Sequence, residues 1–362
     1  MLTGIHQFLT RCVAGDAVST HAMHLQAWFS KFADARLYVE HDHDLVTGGA
    51  RPASEYRPGP ADVVVLHVSI HTPLAEVFAA APGRKVIDFH NFTPARFYAE
   101  WDRPVAGLLE RTADQLAQLA PIVDLALADS TFNADELRAV GYLDPRVVPI
   151  MTDLDAFDGA TDAEVAAALT ADRERGGARW LFVGRVCPNK GQHHLVRALA
   201  LYRRHVDPGA RLWLVGTDFT PTYTEALRRL ARALDVDDAI DITGSVPFGA
   251  LVAYYRAADV FVSASEHEGF GVPLLEAMYC GLPVVAHGVT AVPETVGDAA
   301  LLVDSVDPGE LAAAAGAVLR DGALRDELVA RGARRVEHFA PGVVEDVVRD
   351  TLDPVLTRWA AA

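Results

Sequence analysis

Apolar residues along this chain fall mainly into short unbroken runs rather than strict alternations. Residues 62–68 (DVVVLHV), 85–89, 124–128, 180–183, 212–215, 239–243, 259–262, 283–286 and 300–303 each read as a strand. Such runs suit parallel strands that are buried on both faces. Between them, 104–119, 192–205 and 221–234 carry apolar positions at helical spacing. Strand and helix in alternation predict doubly wound α/β sheets. A further strand at 146–150 leads into an acidic stretch ending in ERGGAR, and a fresh series starts at Trp180. The expected division is therefore a first domain over 1–165 and a second over 166–340. Residues 341–362 open on a helical pattern placed after the second sheet should be complete, and are expected to pack back on the first domain. Two Rossmann-like halves facing across a cleft would bind ligands at the carboxyl ends of their strands.

Composition narrows the function. The 362 residues carry a net charge of −17, with both halves acidic. Such a surface repels an extended phosphate backbone, so a nucleic acid polymer is excluded as partner. Anionic membrane is disfavoured for the same reason, leaving at most peripheral contact. No apolar run approaches the ~20 residues of a membrane span and no charged-then-apolar leader pattern opens the chain, which predicts a cytoplasmic protein. Three widely spaced cysteines (Cys12, Cys187, Cys280) imply neither a disulfide framework nor a zinc site. Of the 32 basic residues only Lys31, Lys85 and Lys190 are lysine, so a lysine inside a motif stands out.

Two loops carry candidate chemistry. The first is Ser265-Glu-His-Glu268-Gly269-Phe270-Gly271-Val272-Pro-Leu274-Leu275-Glu276. It follows a strand, and Pro273 suits the first turn of the next helix. Gly269 and Gly271 would leave amides uncovered at that helix N-terminus, where phosphate binds. Glu268 would sit in the loop and Glu276 about one turn inside the helix, so both carboxylates could address one ligand. The bland reading, a capping Glu and a solvent-facing Glu, would suffice for this motif alone. The second is Gly184-Arg185-Val-Cys-Pro-Asn-Lys190-Gly191, again between strand and helix. Its two cations could neutralise a diphosphate, the Arg in two-pronged fashion. It lacks the P-loop order, and no G-x-G-x-x-G occurs, which weakens a dehydrogenase reading.

Taken together these motifs resemble the retaining GT-B glycosyltransferases of family 4, the glycosyl transferases group 1. That family pairs a G-R-x4-K-G loop with an E-x7-E element about eighty residues later. Gly244-Ser-Val246-Pro-Phe is similar to its base-pocket segment, and Val292-Pro-Glu-Thr-Val-Gly to its ending. The likeness spans roughly 179–340. In the first half, Gly4-Ile-His-Gln-Phe-Leu with Gly15 resembles the first strand and glycine loop, here with a single glycine. Asp88-Phe-His90-Asn-Phe-Thr-Pro is similar to the strand-end histidine of some members.

The resemblance implies transfer of a sugar from a nucleotide diphosphate sugar to an acceptor hydroxyl with retention. It implies catalytic roles for His90, Glu268, Arg185 and Lys190. Donor contacts would come from Gly15, Arg185, Lys190, Val246, Glu268, Gly269, Phe270, Gly271, Val272, Leu274, Leu275 and Glu276. No cofactor and no metal is required, and the acceptor is a sugar, small molecule or glycoconjugate. The alternatives are a nucleotide-sugar epimerase or hydrolase of the same fold, or a non-catalytic sugar-nucleotide binder.

Other features take the bland reading. His41-Asp-His-Asp44 alternates sides on an extended chain and is not expected to chelate. His193 and His194 should diverge by ~100° on a helix. Trp28, Phe29 and Phe32 follow helical spacing and are expected in the core.

Overall fold

A computed structural model describes residues 4–13, 15–40, 49–159 and 161–361, the last four as backbone only. His41, Asp42, His43 and Asp44 lie outside the described residues. The chain divides into two compact units, one of residues 1–95, 104–153 and 339–362, the other of 96–103 and 154–338.

Among the described residues, unit 1 holds strands β1 (Gly4–Leu9), β2 (Asp34–Val39), β3 (Arg51–Pro52), β4 (Val63–Val68), β5 (Arg84–Phe89), β6 (Leu125–Ala128) and β7 (Arg146–Val147). They form one sheet in the order β3-β2-β1-β4-β5-β6-β7, every pairing parallel. Helices α1 (Ala17–Phe29), α2 (Leu74–Ala80), α3 (Arg103–Leu119) and α4 (Thr131–Ala139) connect the strands. Neighbouring residues of one strand serve opposite layers, as a period of two dictates. Val64 and Leu66 pack with Leu74 and Phe78 of α2 and Leu116 of α3. Val63 and Val65 face the other way, toward Leu25, Trp28 and Phe29 of α1. Phe32, one turn further on, is half exposed rather than core, because α1 has ended at Phe29.

Unit 2 begins with α5 (Ala156–Gly159) and α6 (Ala163–Arg173), then alternates β8 (Arg179–Val183), α7 (Gln192–His205), β9 (Arg211–Val215), α8 (Pro221–Ala233) and β10 (Ile240–Gly244). The series continues through α9 (Phe248–Ala257), β11 (Val260–Ser263), α10 (Val272–Tyr279), β12 (Val284–His287), α11 (Val292–Val296) and β13 (Ala300–Val303). Helices α12 (Pro308–Arg320) and α13 (Gly322–Glu337) complete it. Its strand order, β10-β9-β8-β11-β12-β13, reverses direction between β8 and β11. Ligands of open parallel sheets bind at the carboxyl ends of the strands beside that reversal. Trp180, Phe182, Leu212 and Val262 pack with Leu195 and Leu199 of α7 and Leu311 of α12. On the opposite face, Tyr254 and Tyr255 of α9 meet Trp213 and Phe261 at ring distances of 5.4 and 6.2 Å.

The division differs from the expected boundary at 165 in two places. Phe157 of α5 packs edge-on against Phe248 (4.9 Å) and Tyr255 (5.7 Å), so the stretch from Leu154 joins unit 2. Residues 96–103 do the same: Trp101 meets Tyr223 at 5.1 Å, and Thr222 Oγ1 donates to the Trp101 carbonyl at 3.0 Å. The final helix, α14 (Pro341–Ala361), returns to unit 1, where Val344, Val348, Leu352 and Leu356 complete the layer of Ile5, Leu25 and Trp28. The ERGGAR stretch is no loose tether. Arg179 is wholly buried, its Nε donating to Asp172 Oδ2 at 2.6 Å and its Nη1 to the carbonyls of Gly176 and Gly177 at 2.9 Å.

Candidate functional site

Both sequence motifs leave the sheet of unit 2 at the reversal point. Gly184–Gly191 follows β8, Ser265–Glu276 follows β11, and these strands are neighbours. Backbone and side-chain bonds stitch the two loops together. Glu266 N donates to the Asn189 carbonyl at 2.8 Å, and Asn189 Nδ2 donates to the His267 carbonyl at 3.4 Å. Gly191 makes the approach possible. It is left-handed (φ +65), and a Cβ there would lie 2.1 Å from the Ala264 carbonyl oxygen.

This contact brings Lys190 and Glu268 together. Lys190 Nζ donates to Glu268 Oε1 at 2.6 Å, with both side chains about 15% exposed. The Glu268 amide donates to Thr290 Oγ1 at 3.0 Å. Thr290 takes φ +53, rare for a β-branched residue and a form of strain that collects at functional loops. Arg185 is exposed, with its guanidinium carbon 4.9 Å from the centre of the Phe219 ring, a cation–π contact that holds the fork over the loop.

Gly271 is left-handed (φ +96) and starts α10 with no side-chain cap, followed by Val272 and Pro273. The first turn of a helix leaves amides without intrahelical partners. Phe270 is buried, its carbonyl accepting from Thr295 Oγ1 at 2.6 Å. Leu274 and Leu275 are also buried, and the Leu274 amide already donates to the Gly271 carbonyl at 2.9 Å. Val246 is half-buried in the loop after β10, and Gly269 lies between the two motif glutamates.

Glu276 differs from Glu268 in its surroundings. Tyr255 OH on α9 donates to Glu276 Oε2 at 2.6 Å. Part of the side chain still reaches solvent, yet burial pushes the carboxyl up to about 7, against the opposing pull of the tyrosine bond. Glu268 answers a cation while Glu276 answers a hydroxyl. Tyr255, Phe219 and Thr290 are absent from the motifs because no spacing announces contacts made between separate elements.

Gly15 and His90 belong to unit 1. Gly15 is exposed and left-handed (φ +77), beside Asp16, which caps α1 by accepting from the Ser19 amide at 2.9 Å. His90 departs from the expectation of a ring reaching into a cleft. Its side chain is 1% exposed and both ring nitrogens are engaged. Nδ1 donates to Asp129 at 2.9–3.0 Å, and Nε2 lies 2.9 Å from His67 Nδ1. His67 Nε2 in turn lies 2.9 Å from Gln7 Oε1, whose amide nitrogen is committed to the Ala22 carbonyl. Asp88 is bound by His21 Nε2 at 3.0 Å, and the Met151 amide donates to His21 Nδ1 at 2.9 Å.

The bonds fit a doubly protonated His90 donating to Asp129 and to a neutral His67. Burial disfavours charge on His90, but Asp129 and Asp88 outweigh it and hold the ring at about 9. Burial takes His67 down to about 3, only partly offset by Asp88. Contact with a sugar would require the His90 ring to leave both partners. His67, Asp88 and His90 offer atoms within reach of one ion, but the histidine nitrogens face each other in a hydrogen bond.

Near the unit 2 loops, His193 and His194 do not diverge as expected. At the first turn of α7 their rings turn toward each other, with centroids 3.9 Å apart. Burial lowers both imidazoles, His193 to about 4. Cys187 is buried and burial pushes its thiol up, which disfavours the thiolate.

Comparison with known proteins fits this architecture. The profile of the family described as "Glycosyl transferases group 1" matches residues 173–335. The D-inositol 3-phosphate glycosyltransferase of Acidothermus cellulolyticus is 35% identical over 336 residues, covering 90% of this chain and 69% of that protein. The GDP-mannose-dependent alpha-(1-6)-phosphatidylinositol monomannoside mannosyltransferase of Mycobacterium tuberculosis is 38% identical over 205 residues, covering 53% of this chain and 49% of that one. The chain thus spans about two thirds of the first relative and half of the second. Among solved structures, Anabaena HepE in complex with UDP and glucose matches with a TM-score of 0.75 at 18% identity, over 97% of this chain and 100% of that one. Sucrose-phosphate synthase of Thermosynechococcus elongatus matches with a TM-score of 0.74 at 19% identity, over 99% and 100%. Strand order, motif placement and relatives agree that the chain belongs to the glycosyl transferases group 1 family and is a glycosyltransferase of the GT-B fold.

Proposed function

We propose that this glycosyltransferase moves a sugar from a nucleoside diphosphate sugar to an acceptor hydroxyl with retention of configuration, without a metal in the transfer step. The observation that carries the reading is the Lys190–Glu268 pair, which joins the two motifs at the sheet reversal beside the uncapped start of α10. Breaking the glycosyl–phosphate bond loads negative charge on the leaving diphosphate. Arg185, Lys190 and the α10 amides are placed to stabilise it, the largest contribution such a site usually makes. Lys190 has three donors, so it can meet a phosphate while keeping Glu268 in place. Glu268 then addresses the transferred sugar, and Glu276 accepts from the ribose hydroxyls. Attack on the same face, assisted by the departing phosphate, would give retention. The relatives named for GDP-mannose and inositol phosphate suggest a hexose donor and a polyol or glycoconjugate acceptor.

The two glutamates separate the reading from a merely structural one. Glu276→Ala should mainly weaken nucleotide binding, since ribose contacts are the same in ground and transition states. Glu268→Ala should fall on kcat and leave affinity for the free nucleoside diphosphate nearly unchanged. Loss of a charged hydrogen-bond partner costs about 1.5–3 kcal/mol, or roughly ten- to more than a hundredfold, which calorimetry resolves. Equal loss of nucleotide affinity in both variants would end this division of labour. Turnover should survive EDTA, and release of free sugar without acceptor dependence would favour a hydrolase or epimerase instead.

A further inference from the structure

Three side chains with no part in the proposed transfer converge where the two motif loops meet. His193 and His194 open α7, and Glu266 lies in the loop after β11. One nitrogen or oxygen of each falls within 4.8 Å of the other two. His194 Nε2 and Glu266 Oε1 are 3.6 Å apart. That is too long for a hydrogen bond but close to the ~3.3 Å edge of a tetrahedron with bonds of about 2.0–2.1 Å to a central ion. The partners are held from outside. His193 Nδ1 lies 2.8 Å from Tyr223 OH, which also accepts the His193 amide at 3.2 Å. Glu266 is fixed through its amide on the Asn189 carbonyl. All three are partly exposed, so an ion has a way in.

We propose that His193, His194 and Glu266 bind one divalent transition-metal ion of the zinc class, with its remaining position open to water. Two imidazoles and one carboxylate suit Zn²⁺, Co²⁺, Ni²⁺ or Cu²⁺, whereas Mg²⁺ and Ca²⁺ prefer all-oxygen sets. Outer partners such as Tyr223 are what orient ligating histidines. The alternative, an imidazolium–carboxylate pair of His194 and Glu266, does not account for the second imidazole, tilted by 41° with its centroid only 3.9 Å away. Glu266 is two residues before Glu268 and His193 three after Lys190, so the ion would clamp the loops that carry them. Its role is then structural, separate from the transfer step.

The test uses the full chain, stripped with EDTA and desalted. Titration with Zn²⁺ by calorimetry should show one ion per chain, and Co²⁺ should give visible bands of tetrahedral intensity. Zn²⁺ should also raise the melting midpoint, because an ion that binds only the folded state stabilises it. His194→Asn and Glu266→Gln should each weaken Zn²⁺ binding about tenfold or more and abolish the cobalt bands. If a variant fails to fold, Co²⁺-induced shifts of the His193 and His194 ring signals in the unaltered protein decide the point. No binding at a large excess of Zn²⁺, or binding unchanged in both variants, would overturn the proposal, including the outcome in which the ion goes to His67 and Asp88.

Discussion

Glu276 holds its carboxyl near neutrality for a physical reason, burial with a single strong hydrogen bond from Tyr255. In the role proposed for Glu276, ribose hydroxyls would donate to the ionised form and so lower its pKa on binding. Nucleotide binding should therefore release about half a proton at pH 7 and tighten as pH rises from 6 to 8. Calorimetry in two buffers of different ionisation enthalpy reads the proton count directly. Tyr255→Phe removes the bond that favours the carboxylate, so the midpoint of that pH dependence should move upward. The motif spacing pointed to Glu276 but not to its state, because the state depends on burial by other elements, opposed by the bond from a tyrosine 21 positions away in sequence. His90 shows the same limit from the other side. Its place after an apolar strand was legible, while the inward turn of the ring was not, since Asp129 and His67 arrive from other strands.

The His90 cluster also makes stability depend on pH, with a definite sign. His90 is raised from 6.5 to about 9, so its contribution is complete below pH 6.5 and is lost as pH rises through 9. Asp88 is depressed well below 3.8 by His90 and His21 although burial opposes this, so its contribution is present above 3.8 and lost as pH falls below it. Asp129, raised by burial, costs stability once pH exceeds its ordinary value. The melting midpoint should fall between pH 7 and 10, and His90→Gln should flatten that fall. An equally steep fall in the variant would place the dependence elsewhere.

At the scale of elements, the strands buried on both faces were readable to within a residue or so. Residues 300–303 coincide with β13, and 62–68 overruns β4 by one position. β2 was missed because it opens on Asp34-Ala-Arg36, polar and partly exposed, and only its last three residues are buried. The strand read at 146–150 shrinks to Arg146–Val147, since β6 pairs with it over two residues only. The connection before β8 marked the domain boundary in the sequence by its charge and glycines. Here the glycines present carbonyls to a buried guanidinium. Arg179→Met would leave three carbonyls unanswered and Asp172 with only its longer contacts to Arg211 and Arg175, and should cost about 3 kcal/mol, read as a lower denaturant midpoint at unchanged slope. A loss within experimental error would mean the cage relaxes to water.

For the whole molecule, the two units are interleaved in sequence. A fragment over 165–345 omits both α5 and residues 96–103, so it is not unit 2 in isolation, because Tyr98 and Phe157 are then missing from its packing. Ending the chain at 338 instead removes Val344, Val348, Leu352 and Leu356 from unit 1. Four buried aliphatic side chains at about 1.5–3 kcal/mol each approach the total stability of a domain. Unit 1 should then lose protection in hydrogen exchange while unit 2 keeps it. The same helix sets a clock on synthesis. Unit 1 is begun first, yet its layer over Ile5 and Leu25 stays open until α14 has been made. At about 5–20 residues per second, that leaves an apolar sheet face waiting for tens of seconds while unit 2 finishes. The half of the protein translated first is thus the half whose core is completed last.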